Sequence, residues 1–400
     1  MRFFPSELPQ CRAICAAVFF LVSACASTPD ATSPELTEAP LCARDGIEIR
    51  TDFAGAGQHG CAIRDDEFVL TVWPEPSLHG RINPSPWYAF SLAGAGDEPV
   101  RVVLDYGSYN HRYPPLLRQG GEGEWAPLPE SSLNVLEDGH KAVLTLPGSD
   151  DLTVAGLPIE TSADALEWTE NTASVFGLDV VSYGQSAEGR PLMAIAAGSE
   201  DASKLVVALT RQHPPELAGA LAFQAFVIDV LSTYPKAVLE DTRFVFFPMM
   251  NPDGVDNGYW RHNTGAVDLN RDWFDATQPE VASAQALILA EAEGREVAAF
   301  LDFHSTWRTL VYFHPFDTPG ADSSFPEALK QAMDSEISPT PDWISSHNDG
   351  KGTSKNWALQ MFATPGMTIE LGDSVSADDA AEVGRLTARV LSQKIGDRLD

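Results

Sequence analysis

His213 and Glu216 stand three residues apart in Arg211-Gln212-His213-Pro214-Pro215-Glu216, between a short apolar run and a long one. An imidazole nitrogen and a carboxylate oxygen at that spacing, at the start of a helix, face the same side and can reach one zinc ion. By itself the pair is weak evidence and more often describes an ordinary helix N-terminus, with Glu216 favoured in the first turn by the helix dipole. A catalytic zinc site takes three protein ligands and leaves a position open for water. His304, after the apolar run Phe300-Leu301-Asp302-Phe303, is the candidate third ligand. A lone histidine there is more often a satisfied core residue, but it ends a second strand, and a parallel sheet would bring it beside the first motif. Glu370 closes Met367-Thr368-Ile369, where a buried carboxylate is unfavourable unless it meets a cation or moves a proton. Asn251-Pro252-Asp253-Gly254 alone means only a turn.

The elements around these residues follow from periodicity. Leu205 to Leu209 is a β-branched run, and Leu217 to Leu231 has helical spacing, so the first motif sits where a strand gives way to a helix. Further strands are expected at Arg243 to Pro248, Val297 to Phe303, Leu310 to Phe313 and Met367 to Leu371. Helices are expected at Glu216 to Ser232, Pro279 to Glu293, Ser324 to Ile337 and Ala377 to Ile395. This alternation predicts an α/β sheet with helices on both faces. Residues 43–160 instead carry short alternating runs broken by Gly, Pro and Asn (Phe68 to Trp73, Trp87 to Leu92, Val100 to Leu104, Lys141 to Leu146), which predicts an antiparallel β-sandwich. Residues 161–400 would form the second domain.

Ahead of these, Arg2 and Arg12 bracket a basic start, and Ala13 to Ala24 is apolar but shorter than the ~20 residues needed to span a bilayer. Residues 1–24 therefore read as a secretory signal segment. Val22-Ser23-Ala24-Cys25 resembles a bacterial lipoprotein processing site, which makes a lipid anchor at Cys25 and a location in the bacterial cell envelope, facing the periplasm or the outside, the expectation. Residues 25–42, rich in Ser, Thr, Pro and Ala, read as a flexible tether. Cys42 and Cys61 are the remaining cysteines, either a disulfide or two shielded thiols. A net charge of −31 argues against a nucleic-acid partner, and 44% hydrophobic residues with nine tryptophans argue against disorder.

Taken together, His213-x-x-Glu216, Asn251-Pro-Asp-Gly, Trp260-Arg261, Asp268-x-Asn270-Arg271, His304-Ser305 and Thr368-x-Glu370-Leu371 resemble, in kind and order, the zinc carboxypeptidases of the carboxypeptidase A type, the funnelins. The resemblance covers about residues 165 to 400. Asn83 to Phe90, Tyr106 to Tyr113 and Gly184 to Pro191 further resemble the sandwich and junction of the cytosolic carboxypeptidase subfamily, whose known members include protein deglutamylases. The resemblance implies a mixed, mostly parallel sheet and one Zn2+ held by His213, Glu216 and His304 with water as fourth ligand. It implies that Asp268 receives the other ring proton of His213. Glu370 would take a proton from water and pass it to the leaving amine, and Arg261 would stabilise the oxyanion. Asn270 and Arg271 would clamp the terminal carboxylate, making peptide or protein C-termini the substrate. The family's mobile tyrosine falls on Asn348, so either His347 or Asn348 substitutes or the role is absent. Lys355 falls at the base of the side-chain pocket and implies preference for C-terminal Glu or Asp, unless it is an exposed helix lysine. Two other readings stand beside this one: a cell-wall stem-peptide hydrolase of the same chemistry, and a non-catalytic zinc- or peptide-binding lipoprotein.

Overall fold

Lys204–Thr210 is buried along its whole length, and its apolar stretch Leu205 to Leu209 suits a strand with both sheet faces covered. In the computed structural model, which describes residues 40–78, 86–121 and 123–396, this strand lies inside an eight-stranded sheet. The expected signal segment, Cys25 and the rest of the tether up to residue 39, and Asn83-Pro84-Ser85 lie outside the described residues.

The strand pairs in parallel with Thr242–Phe247 on one side and Glu296–Thr306 on the other, and Glu296–Thr306 pairs in parallel with Met367–Gly372. Antiparallel pairings bring in Pro191–Ala197 and Val180–Gln185 at one edge and Leu310–Phe313 near the other, where Asp342–Ser345 adds a last parallel strand. The sheet is therefore mixed, with its parallel core at the predicted strands. One face is covered by Leu217–Thr233, Ser324–Glu336 and Ala377–Gly396, whose apolar residues join a core with Phe244, Phe246 and Phe303. The opposite face is covered by Pro279–Ala292 and Ser354–Phe362 around Trp273, Phe300 and Trp357. A further helix, Ser162–Phe176, starts at a reciprocal cap in which Thr161 Oγ1 accepts from Asp164 N and the Asp164 carboxylate accepts from Thr161 N. It stops at Gly177, whose φ of 65° suits a residue without a Cβ.

Residues 42–155 form two facing sheets. The six-stranded one is antiparallel throughout. The five-stranded one departs from the all-antiparallel expectation, because Glu67–Val72 and Val100–Asp105 run parallel. Between them the chain crosses to contribute Ala89–Ala93 to the opposite sheet, and two reversals restore the original direction. Tyr88, Phe90 and Leu104 lie in the core between the sheets, and Trp260, from the α/β half of the chain, is part of the same cluster. Cys42 and Cys61 are disulfide-bonded, joining strand Cys42–Arg44 of one sheet to His59–Arg64 of the other.

Helices Leu217–Thr233 and Ala377–Gly396 approach so closely that a Cβ on Gly384 would overlap the carbonyl oxygen of Ala222. A methyl group there has to push the helix backbones apart. Gly384→Ala is expected to lower unfolding stability by about 1–3 kcal/mol, measured by chemical denaturation.

Candidate active site

The parallel register that opposes Thr210 to Phe303 brings two strand ends level, so His304 and the loop carrying His213 emerge together. Arg211 turns the chain out of the strand at a φ of 57°, held by donation from its Nη2 to the Glu160 carbonyl at 3.0 Å. The helix that follows begins against the second strand. A Cβ on Gly219 would lie 2.5 Å from the His304 carbonyl oxygen, and Gly219 N–H donates to Ser305 Oγ at 2.8 Å. Glycine is required there for helix and strand to come this near. Glu216 precedes the first helical turn and makes no capping hydrogen bond with its side chain, which leaves both carboxylate oxygens facing the histidines.

Glu216 Oε1 is 2.7 Å from His213 Nδ1, Oε2 is 2.6 Å from His304 Nδ1, and the two Nδ1 atoms are 3.2 Å apart. All three residues are buried, and their ligand atoms lie within 4.8 Å of one another. The far nitrogen of each ring faces a carboxylate: His213 Nε2 is 3.0 Å from Asp268 Oδ1, and His304 Nε2 is 2.9 Å from Asp302 Oδ1. Carboxylates behind metal-binding imidazoles fix the ring orientation and raise ligand basicity. Burial works against charge on Glu216, yet His213 and His304 hold its carboxyl far below the usual range. Burial also opposes charge on His304, but Asp302 and Glu216 raise it well above an ordinary imidazole. Positive charge among these groups is thus favoured, and two nitrogens with one carboxylate are a donor set that fits one zinc ion.

Glu370 lies beside this trio because Met367–Gly372 pairs with His304 directly opposite Glu370. Its Oε2 is buried and has no hydrogen-bond partner among the described residues. Burial, reinforced by Glu216, pushes the Glu370 carboxyl up to about 7 against the opposing pull of His304, His213 and Arg261. A group so poised can exchange a proton near neutral pH.

Of the nine residues singled out from the sequence, all except Asp268 and His304 line one cavity of about 160 Å³. Asp268 and His304 stand just behind it. Arg261 Nε and Nη2 reach Asp268 Oδ2 at 2.8 and 2.7 Å, so this guanidinium offsets the charge of the carboxylate that faces His213. Asn270 is held at both ends of its amide, with Nδ2 3.2 Å from His304 Nε2 and Oδ1 accepting from Ser354 N at 2.9 Å. Arg271 Nη1 donates to the Asn270 carbonyl at 2.7 Å, and its side chain is 31% exposed, so it is the freer of the two. Lys355 is only 2% exposed and is not a surface lysine. Its Nζ donates to Asn356 Oδ1 at 2.9 Å and lies 3.8 Å from Asp349. Burial lowers its pKa to about 8, with Asp349 opposing and Arg271 adding to the fall.

Sequence reasoning assigned no role to Asp302, Tyr312 or Arg112. Asp302 precedes His304 by two on one strand, so the two share a face, a signal that was present in the sequence. Its Oδ2 accepts from Gln212 Nε2 at 2.7 Å and from Ser354 Oγ. Tyr312 lines the cavity, and its ring stacks on His347 with centroids 4.0 Å apart. Asn348 lines it as well, and its carbonyl accepts from Asn356 Nδ2 at 2.8 Å. Arg112 enters from the sandwich and donates from Nε and Nη2 to Asp373 Oδ2 at 2.9 and 2.6 Å.

A family model described as zinc carboxypeptidase matches residues 168–376, more than half of the chain. The chain belongs to that family. Cytosolic carboxypeptidase 2 of Macaca fascicularis is 37% identical over 119 residues, covering 28% of this chain and 14% of that protein. Cytosolic carboxypeptidase 4 of Homo sapiens is 32% identical over 161 residues, covering 36% of this chain and again 14% of the relative. The match thus spans a small part of these relatives' length. Among solved structures, the metallo-carboxypeptidase of Burkholderia cenocepacia superposes with a TM-score of 0.72 at 20% identity, over 88% of this chain and 100% of that one. The metallo-carboxypeptidase of Pseudomonas aeruginosa, solved with (2-guanidinoethylmercapto)succinic acid, has a TM-score of 0.67 at 21% identity over the same share of each chain. These two share the fold, sandwich included.

For this zinc carboxypeptidase family member, Asp302 is expected to matter as much behind His304 as Asp268 does behind His213. Asp302→Ala should weaken zinc binding about 10–100-fold, measured by chelator competition.

Proposed function

We propose that the protein is a zinc-dependent metallocarboxypeptidase that hydrolyses the C-terminal peptide bond of peptides or proteins, preferring C-terminal Glu or Asp. The observation that carries this reading is one cavity lined by His213, Glu216 and Glu370, whose Oε2 has no partner among the described residues, and by two basic side chains, Arg271 and Lys355, with His304 just behind the first two. When bound, zinc would supply Lewis acidity toward the scissile carbonyl and the attacking water. Glu370 takes the water's proton and hands it to the leaving amine, a cycle suited to a carboxyl held up to about 7. Arg261, anchored on Asp268, opposes the negative charge that develops on the carbonyl oxygen. Arg271 and Asn270, whose Oδ1 accepts from Ser354 N, clamp the terminal carboxylate. Lys355, buried and basic, faces an acidic side chain.

The relatives named cytosolic carboxypeptidases support action at C-termini. Lipid anchoring at Cys25 in the bacterial envelope is proposed with it, supported by the signal-like start and by the Cys42–Cys61 disulfide, which suits an oxidising compartment. Among the described residues no helix is long and apolar enough to cross a membrane.

The test is release of the last residue from peptides differing only at that position, with zinc-loaded protein and a chelator control. Glu and Asp should leave fastest, and Lys355→Ala should erase the preference. Release of apolar or basic ends instead overturns the Lys355 assignment, and turnover confined to D-Glu-linked wall peptides assigns the same chemistry to stem peptides. Glu370→Gln should lower kcat about 10²–10⁴-fold while zinc and peptide still bind; a protein that only binds shows no turnover in either form.

Two pH limbs follow. Glu370 must be ionised to accept a proton, so kcat/KM falls on acidification. Zinc's charge stabilises the carboxylate, setting that limb at or below about 7. Lys355 loses its proton as pH rises through about 8, so KM for Glu-ended peptides should climb there while KM for Ala-ended peptides stays flat.

A further inference from the structure

Trp260, Arg261 and His262 lie in a stretch with neither helix nor strand, yet they bear the guanidinium nearest the first zinc-ligand network. What holds them comes from the other half of the chain. Glu75, in the loop after strand Glu67–Val72 of the sandwich, is buried with its side chain 5% exposed. Its Oε1 accepts from Arg261 N at 2.7 Å, from His262 N at 3.1 Å and, at 2.9 Å, from His262 Nδ1, and its Oε2 accepts from Trp260 N at 3.1 Å. Three consecutive backbone N–H groups closing on one carboxylate form an anion nest, and charge-assisted bonds of this kind are about twice as strong as neutral ones.

Such a nest sets where three successive side chains go. The Trp260 indole enters the sandwich core, where Nε1 donates to the Tyr113 hydroxyl at 3.1 Å. Arg261 turns the other way, onto Asp268 Oδ2, whose partner oxygen faces His213. Burial disfavours charge on Glu75, but the His262 ring and the backbone donors keep its carboxyl below the ordinary range.

We infer that Glu75 is a positioning residue for hydrolysis, contributed by the sandwich, which fixes the backbone of residues 260–262 so that Arg261 faces both Asp268 and the cleft. This rests on the proposed role of Arg261 against the carbonyl charge. Glu75 touches neither the zinc ligands nor the cavity, so losing it releases Arg261 while leaving His213, Glu216 and His304 in place.

The experiment is a cycle in the full-length, zinc-loaded protein: Glu75→Ala, Glu75→Gln, Arg261→Ala and the double variant Glu75→Ala/Arg261→Ala, with kcat, KM, zinc stoichiometry and thermal stability measured on each. Glu75→Ala is expected to lower kcat at least ~10-fold, with KM within about threefold and zinc unchanged, because one electrostatic contact is misplaced. Glu75→Gln keeps an accepting oxygen and should recover much of the rate. The double variant should be no slower than Arg261→Ala, since a residue acting through Arg261 has nothing left to act on. Additive losses overturn the inference, as does a kcat within about twofold of wild type, or zinc loss in Glu75→Ala. If thermal melting shows that Glu75→Ala is unfolded, the same cycle built on Glu75→Gln decides by the same additivity criterion. An undiminished kcat in Arg261→Ala overturns the reading of Arg261 and this inference with it, whereas a diminished kcat with additivity overturns this inference alone.

Discussion

Charge buried out of reach of water governs this molecule. Glu216, Asp268, Asp302 and the two site histidines meet where solvent barely enters, and an ionised carboxylate in such surroundings is strongly unfavourable unless countercharge is built in beside it. The protein answers with alternating layers: a metal-binding trio, two carboxylates behind the rings, then Arg261 on one side and Gln212 with Ser354 on the other. Trp273 Nε1 extends the second branch by donating to Gln212 Oε1 at 2.9 Å. Much of the surrounding fold serves to bring these layers to one point. The parallel ladder levels the strand ends, and Gly219 lets the helix press against His304.

The layers nearest the metal were readable in the sequence because each is tied to a local rule. His213 and Glu216 are linked by a three-residue step at a strand end, and Glu370 stands out as a carboxylate closing an apolar strand. Asp302 was readable in principle, two positions from His304, but an acid in an apolar run is easily taken for part of a strand. The helix Ser162–Phe176 gave a weak signal, because its buried residues are Ala165, Thr169, Thr172 and Ala173 rather than a stripe of large apolar side chains. The edge strands Val180–Gln185 and Asp342–Ser345 are only half-buried, so neither alternation nor an apolar run marks them. Pairing direction inside the sandwich has no periodicity at all, which is why the parallel pair of Glu67–Val72 with Val100–Asp105 was not foreseen.

Contacts made across long stretches of chain were the least legible. Arg112 reaches the cavity from the Tyr106 to Tyr113 stretch, and Glu75 reaches the backbone beside Arg261 from a loop, and neither side chain's target can be read from its neighbours in the sequence. Lys355 shows the opposite case. Its identity suggested a role, but only its near-complete burial separates a pocket lysine from a surface one. Asn270 lines the cavity while its Oδ1 accepts from Ser354 N, a long-range contact that its place beside Arg271 in the sequence does not announce.

Trp260 completes the core between the two sandwich sheets although it is encoded after the first four strands of the α/β sheet. During synthesis the sandwich strands therefore leave the ribosome before the indole that fills their interior and before the backbone donors that satisfy Glu75. The sandwich core and the placement of Arg261 thus depend on one and the same segment, residues 260–262.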